Sequence, residues 1–268
     1  MGYDVSKPVS DEDIAAFRRA LADHCFLLFR DQELTPDQQV AFGRRFGELE
    51  RHMLADYLLA EAPEIYVISN VKKKGRDVGR AGAGQYWHTD MSYTTNPAFG
   101  SMLYAIEIPA TGGDTMFSNM YKAYEALSAP LKDLFEGMST IHDFAHTQRT
   151  HIAPAGLTKP ASAELLAMTP PVAQPLVRTH PVTGRKSLYV SPGMMTEIVG
   201  LAPHESRAII DFLVSHTTRP EFVYRHQWRQ GDMVFWDNWA SMHCAVADYG
   251  PDDRRLMHRT TIKTLAAA

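Results

Sequence analysis

The segment Tyr86-Trp87-His88-Thr89-Asp90 sets an imidazole and a carboxylate two residues apart. On an extended strand, side chains at i and i+2 point to the same side. His88 and Asp90 would then offer one nitrogen and one oxygen ligand to the same point in space. A further histidine completes a 2-His-1-carboxylate triad, which holds one face of an octahedral ion and leaves three positions open. That arrangement is diagnostic of non-haem Fe(II) oxygenases. The pair alone proves little in a chain with twelve histidines; its value lies in its company.

His243 is the candidate third ligand. It follows the apolar run Met233-Val-Phe-Trp236 and the turn-like Asp237-Asn238, and it opens another strand. A few residues later comes Arg255-Leu-Met-His-Arg259, at the start of a further strand. An iron enzyme that uses 2-oxoglutarate needs a cation about one cosubstrate length from the metal. Arginine suits this because its planar fork pairs with a carboxylate in two places.

Positioning these side chains takes strands. Candidates lie at 25–29, 65–69, 99–108, 114–118, 174–179, 187–191, 221–229, 232–236, 243–247 and 256–263. Many short strands separated by turn signals predict a sandwich or barrel. Helices cluster at the start: Ser10 caps one that carries Asp11, Glu12 and Asp13 in its first turn, and Thr35-Pro36 opens a second. Two more are expected at 119–127 and 203–216. Residues 70–85, NVKKKGRDVGRAGAGQ, are basic and glycine-rich, and read as a mobile loop. Residues 146–172 show little periodicity, so a lid or insertion is expected around 142–172. The pattern predicts one domain over 1–268: a mainly β core with peripheral helices, not a doubly wound sheet.

Bulk properties narrow the partners. The 268 residues are enough for one substantial core, and a formal charge of −4 does not suggest nucleic acid. Two cysteines exclude a disulfide framework and point to a reducing compartment. The N-terminus has no basic stretch leading into an apolar run, and no apolar run approaches membrane length, so a cytoplasmic protein acting on a small molecule is expected. Self-association into a dimer or tetramer stays open.

These residues resemble the taurine dioxygenase / 2,4-dichlorophenoxyacetate dioxygenase family of Fe(II)/2-oxoglutarate enzymes. The likeness covers nearly the whole chain. It includes Gly2-Tyr-Asp-Val-Ser6, Leu28-Phe-Arg-Asp-Gln32, Phe46-Gly-Glu-Leu49, Trp87-His-Thr-Asp90, Gly112-Gly-Asp-Thr115, Thr179-His-Pro-Val-Thr-Gly-Arg185, Trp236-Asp-Asn238, His243 and Arg255-x-x-x-Arg259. The resemblance implies a double-stranded β-helix (jelly roll, cupin-like) with the metal at its open mouth. It implies His88, Asp90 and His243 as iron ligands, and Thr115 and Arg255 on the distal carboxylate of 2-oxoglutarate. Arg259 would face an anionic substrate, with Tyr86 and Gln85 lining the pocket. Arg254 adjoins Arg255 and is the alternative cation; Arg255 keeps the Arg-x-x-x-Arg spacing and shares a strand face with Arg259. The implied activity is hydroxylation of a small, anionic compound by Fe(II), 2-oxoglutarate and O₂, giving succinate and CO₂. Candidate substrates are sulfonates, sulfate esters, aryloxyalkanoates and amino-acid-like compounds. Desaturation or cyclisation in a biosynthetic pathway is the rival outcome. A non-catalytic 2-oxoglutarate-binding sensor is the rival class, which the intact triad and both arginines oppose.

Departures from the family bear on substrate. Where taurine enzymes carry a polar stretch before the Trp-His-Thr-Asp motif, this chain reads Ala81-Gly-Ala-Gly-Gln-Tyr86. Only His52 stands near the position of their sulfonate-binding histidine, and Val190-Ser-Pro192 replaces a Val-Asn pair. Taurine is therefore disfavoured. The chain also begins near the family's Gly-x-Asp, so for the N-terminal strand usual in the family the expectation is either a truncated start or a subfamily that lacks the element. His142, His146 and His151 read as solvated lid residues rather than a second metal site. Lys72-Lys-Lys74 with Arg76 reads as an exposed loop tip, and Cys244 as a small buried residue rather than a ligand.

Overall fold

The computed structural model describes residues 2–265. Helix Asp11–His24 begins where the Ser10 side chain accepts from the Asp13 amide, and Cys25 closes it in a left-handed conformation. Helix Pro36–Arg44 begins with a reciprocal capping box between Thr35 and Gln38. Both helices cover one face of a seven-stranded antiparallel sheet. Its spatial order is Phe26–Phe29, Met233–Asp237, Gly100–Glu107, Leu256–Leu265, Ala62–Ser69 and Leu58–Leu59, with Gly47–Leu49 alongside Leu256–Leu265.

The period-2 rule sorts these strands into two apolar layers. Met102, Tyr104, Met233, Phe235 and Ile262 face the N-terminal helices with Ile14, Leu21, Phe42 and Phe46. Their neighbours Leu103, Ala105, Val234, Trp236 and Met257 face the other way and meet Phe117. Phe117 belongs to a smaller sheet, Val223–His226, Thr115–Asn119 and Ser241–Ala245. The second layer is thus the space between two sheets, the interior of a jelly roll. A third cluster, including Met120, Leu176, Leu188, Ile210 and Met242, packs helix Pro203–Thr217 on the outside of the smaller sheet.

Several expectations need correction. The predicted strand 174–179 is two strands, Val172–Pro175 and Val177–Thr179, which join different partners on either side of buried Leu176. A helix at Ala129–Glu136, with Pro130 in its first turn, escaped the pattern reading. Residues 70–85 are not a free loop. Lys72–Lys73 and Arg76–Asp77 form a small exposed hairpin, and Arg80 then pairs with Ile68 in a parallel bridge. Residues 144–167 are not irregular either. Short helical turns at Phe144–Thr147, Gln148–Ile152, Ala153–Ala155 and Ala163–Ala167 fill this stretch, the first and last capped by Asp143 and Ser162.

His142 is not solvated. It lies on strand Ser139–His142, is 0% exposed, and its Nε2 sits 2.8 Å from Thr140 Oγ1. Burial, with Arg178 adding to it, pushes its pKa down to about 3. A folded-state value below the ordinary one means that stability is complete above about pH 6.5 and drains away as pH falls towards the folded value. At about pH 5 the cost is roughly 2 kcal/mol. His142→Gln is therefore expected to lose less melting temperature than the parent between about pH 6.5 and 5. Parallel loss in both proteins, read by circular dichroism melts, would contradict this.

Candidate active site

Strand Ser241–Ala245 directs Met242 outward and His243 inward, into the space between the sheets. His88 meets it through a bridge of two backbone bonds: His88 N to His243 O at 2.9 Å and His243 N to His88 O at 2.8 Å. The two rings lie 4.2 Å apart. Asp90 is not on a strand, as the i, i+2 argument assumed; it lies in a turn. Even so, ligand atoms of His88, Asp90 and His243 all fall within 4.8 Å of one another, and all three residues are buried. His88 Nε2 is 3.7 Å from one Asp90 oxygen, and His243 Nε2 is 3.9 Å from the other.

A further ring of contacts aims these ligands. His88 Nδ1 sits 2.8 Å from the Tyr86 carbonyl, so it donates and leaves the Nε2 lone pair free for a metal. Ser101 Oγ donates to Asp90 Oδ2 at 2.7 Å, and Asn238 Oδ1 accepts the Asp90 amide and the Trp236 indole N–H. The motif Trp236-Asp-Asn238 thus orients the carboxylate from the neighbouring strand end.

The electrostatics preset the ligating form. Burial pushes both histidines down, His243 well below the ordinary value with His88 adding to it, so both are neutral imidazoles. Burial alone would raise the Asp90 carboxyl. The Arg259 charge, with the Ser101 hydrogen bond, outweighs it and holds the group below the usual carboxylate range. Neutral imidazoles and an ionised carboxylate are the forms a divalent ion binds.

Gly84 shows how closely the backbone approaches. Its φ is +75°, and an added Cβ would lie 2.9 Å from His88 Cε1. Gly84→Ala is expected to displace His88 and to weaken Mn(II) binding by about 10- to 100-fold, as measured by calorimetry. Unchanged affinity would show that His88 does not depend on this contact.

Beyond the triad, strand pairing places the remaining candidates. Ser241–Ala245 runs antiparallel to Thr115–Asn119, with His243 opposite Phe117 and Ala245 opposite Thr115. Thr115 therefore faces inward two residues from the ligand's partner. Its Oγ accepts the Trp228 indole N–H at 3.0 Å, which leaves the hydroxyl hydrogen free to donate. Arg255, Met257 and Arg259 face inward by alternation along their strand, and Arg255 and Arg259 line one cavity with His88, Thr115, Trp236 and His243. Arg254 points outward and pairs with Glu107 at 2.6 Å.

The two inward arginines differ. Arg259 Nη1 bonds Asp90 at 2.8 Å, and its guanidinium lies 5.0 Å from the Tyr66 ring centre. Arg255 is 5% exposed and its Nε has no partner; among the described residues no carboxylate lies in ion-pair reach of its guanidinium. Burial lowers its pKa, though Tyr249 and Asp114 oppose that. A buried cation without a counter-charge costs several kcal/mol. An anionic ligand with a carboxylate in this cavity removes that cost, so the donor set fits 2-oxoglutarate, and the triad fits Fe(II).

Tyr86 stacks on His151 at 4.4 Å and lies 5.0 Å from the His88 ring. It thereby joins the helical segment 144–167 to His88. Gln85 lines a neighbouring small cavity with Arg80 and Arg255. His52 stacks on Tyr66 at 4.3 Å, and burial together with Arg259 and Arg80 pushes its pKa down to about 3. Cys244 is buried, and the His146 side chain belongs to no metal-binding group among the described residues. Arg80, which the motif reading passed over, is 8% exposed at the edge of this site.

Comparison with known proteins points the same way. The family model for taurine catabolism dioxygenase TauD, TfdA family, matches residues 2–261. The α-ketoglutarate-dependent 2,4-dichlorophenoxyacetate dioxygenase of Cupriavidus pinatubonensis is 35% identical, over 96% of this chain and 91% of the relative. Pentalenolactone F synthase of Streptomyces arenae is 33% identical, over 90% and 83%. The crystal structure of AAD-2 with Mn(II) and N-oxalylglycine superposes with a TM-score of 0.82 at 33% identity, covering 99% of this chain and 92% of that one.

Proposed function

The chain belongs to the TauD, TfdA family, a dioxygenase family with the jelly-roll fold, and on that premise we propose that it oxidises a small anionic organic compound with Fe(II), 2-oxoglutarate and O₂. It is a 2-oxoglutarate-dependent non-haem iron dioxygenase. The observation that carries the reading is one cavity lined by two triad histidines and by a buried, unpaired arginine, Arg255.

Bound iron with 2-oxoglutarate and O₂ supplies oxidative decarboxylation to succinate and CO₂, coupled to oxidation of a substrate C–H bond. The chain's own residues do the positioning. His88, Asp90 and His243 would hold the ion through two imidazole nitrogens and a carboxylate oxygen. Arg255 takes the distal carboxylate in its fork, and the free Thr115 hydroxyl hydrogen donates to the same group. Arg259 balances the Asp90 charge and, with Tyr86 and Gln85, borders the substrate side. Trp236, Leu103 and Ile68 line the cavity as apolar walls that exclude water. The whole of residues 1–268 would act as one catalytic domain, with 142–172 as its lid. A cytoplasmic setting accords with Cys25 and Cys244, both buried and unpaired.

Hydroxylation is the outcome we favour. The relative named as a pentalenolactone F synthase supports desaturation or ring closure as a second reading. Mass spectrometry of products from a panel of sulfonates, sulfate esters, aryloxyalkanoates and amino acids separates them. A product heavier by one oxygen atom, or its fragments, supports hydroxylation. A product lighter by two hydrogens overturns it in favour of the second reading.

A further inference from the structure

None of the residues assigned above comes from the motif Thr179-His-Pro-Val-Thr-Gly-Arg185. The motif forms the tip of a hairpin between strands Val177–Thr179 and Lys186–Leu188. His180 N donates to Arg185 O at 2.8 Å, and Gly184 N donates to His180 O at 2.9 Å. The His180 side chain is fully buried beside that of Asp237, which is buried too. Its tautomer follows from its neighbours. Nδ1 lies 3.3 Å from the amides of both Val182 and Thr183, so it accepts and carries no proton. The proton is on Nε2, which donates to Asp237 Oδ2 at 2.8 Å.

Asp237 ends strand Met233–Asp237 and opens the turn that leads into strand Ser241–Ala245. All its polar atoms are engaged. Its N donates to Cys25 O at 3.0 Å, and its O accepts from Ser241 Oγ at 2.6 Å. Oδ1 accepts the Trp239 amide at 2.7 Å, and Oδ2 accepts from His180. The hairpin grips the same turn a second time, where Ser187 Oγ donates to Trp239 O at 2.8 Å. This turn serves the triad on both sides. Asn238 holds the Asp90 amide, and its Nδ2 donates to Ser101 Oγ at 3.3 Å; Ser101 donates in turn to Asp90 Oδ2. Ser241 begins the strand that carries His243. Apolar side chains could fill this space against Phe99, Tyr121 and Trp239 without removing polar groups from water. What a hydrogen-bonded pair adds is direction: it fixes how the carboxylate, and with it the turn, is set.

We propose that His180 is a positioning residue for the metal site. Its Nε2–H holds the Asp237 carboxylate and so locks the 237–241 turn, from which Asp90 and His243 take their aim. The inference rests on the metal-binding reading of the triad given above, and its test keeps the two apart.

The two ends of the ring can be tested separately. His180→Asn keeps an oxygen for the Val182 and Thr183 amides, as in an Asx turn, and loses the reach to Asp237. His180→Gln keeps an N–H near the place of Nε2 and loses the Nδ1 acceptor. The full-length parent and both variants are titrated with Mn(II) by calorimetry and melted by circular dichroism. His180→Asn is expected to lose about tenfold or more in Mn(II) affinity, and His180→Gln to stay within about threefold of the parent, although both melt lower. Lower melting temperatures with parental affinity in both variants would make His180 a residue of stability alone and overturn the proposal. Equal losses of affinity in the two variants overturn it as well, because the donor to Asp237 would then not be the group that matters. If either His180 variant fails to fold, Asp237→Asn reports the same contact. Whichever way its amide turns, the Trp239 amide or the Nε2–H meets an N–H group. It too is expected to lose about tenfold or more, and parental affinity in it overturns the proposal. A parent that binds no Mn(II) overturns instead the metal-binding reading on which the inference rests.

Discussion

His243→Ala is expected to abolish tight Mn(II) binding and to lower 2-oxoglutarate turnover on the order of a thousandfold, at a cost in packing alone. The reason lies in what the side chain touches. His243 Nδ1 has no hydrogen-bond partner, and its ring is neutral and buried against Phe117 and Trp236. Removing it costs packing, but it strands no charge. Asp90→Ala behaves differently. It deletes the same metal site and also leaves Arg259 buried without its carboxylate, which costs about 3–5 kcal/mol. The two variants should therefore share a loss of metal binding and differ in melting temperature by on the order of ten degrees, Asp90→Ala being lower. Calorimetric Mn(II) titration and thermal melts of both proteins check this. Equal melting temperatures would show that the Asp90–Arg259 pair carries no stability. Retained Mn(II) binding in His243→Ala would remove that residue from the ligand set.

Arg255→Met trades function for stability. The parent side chain is buried with an unpaired Nε. Replacing a buried, uncompensated cation with an apolar chain of similar reach is neutral or stabilising by about 1–4 kcal/mol. The melting temperature of the ligand-free protein should therefore hold or rise. Affinity for N-oxalylglycine should fall by about 30-fold or more, the loss of a desolvated charge pair. The parent should gain melting temperature when N-oxalylglycine is added, and the variant should not. A variant that binds N-oxalylglycine as the parent does would contradict the cosubstrate role of Arg255.

The chemistry was more legible than the architecture around it. His88, Asp90 and His243 could be named as candidate ligands because residues of that kind are scarce at such spacing, and the structure brings their ligand atoms within 4.8 Å of one another. The assumed reason was partly mistaken, since Asp90 sits in a turn and owes its aim to Ser101 and Asn238. Such contacts are long-range and leave no local pattern. Strand positions were readable wherever one face met the helices and the other the interior, as at Met233-Val-Phe-Trp236. Residues 144–167 were not, because short capped turns give too few residues for a 3.6-residue period to show. The same limit hid Arg80. Its segment has the composition of a loop, and only the closeness of Gly79 to strand Ala62–Ser69 makes it part of the site.

The most direct test of the account is the fate of oxygen in the cosubstrate. Purified protein with Fe(II), 2-oxoglutarate and ¹⁸O₂ is analysed for labelled succinate by mass spectrometry, with His243→Ala in parallel. Succinate carrying one labelled oxygen, formed by the parent only when iron and O₂ are both present and absent from the variant, is the predicted result. No succinate from an iron-loaded parent across the substrate panel, or equal succinate from the variant, would contradict it.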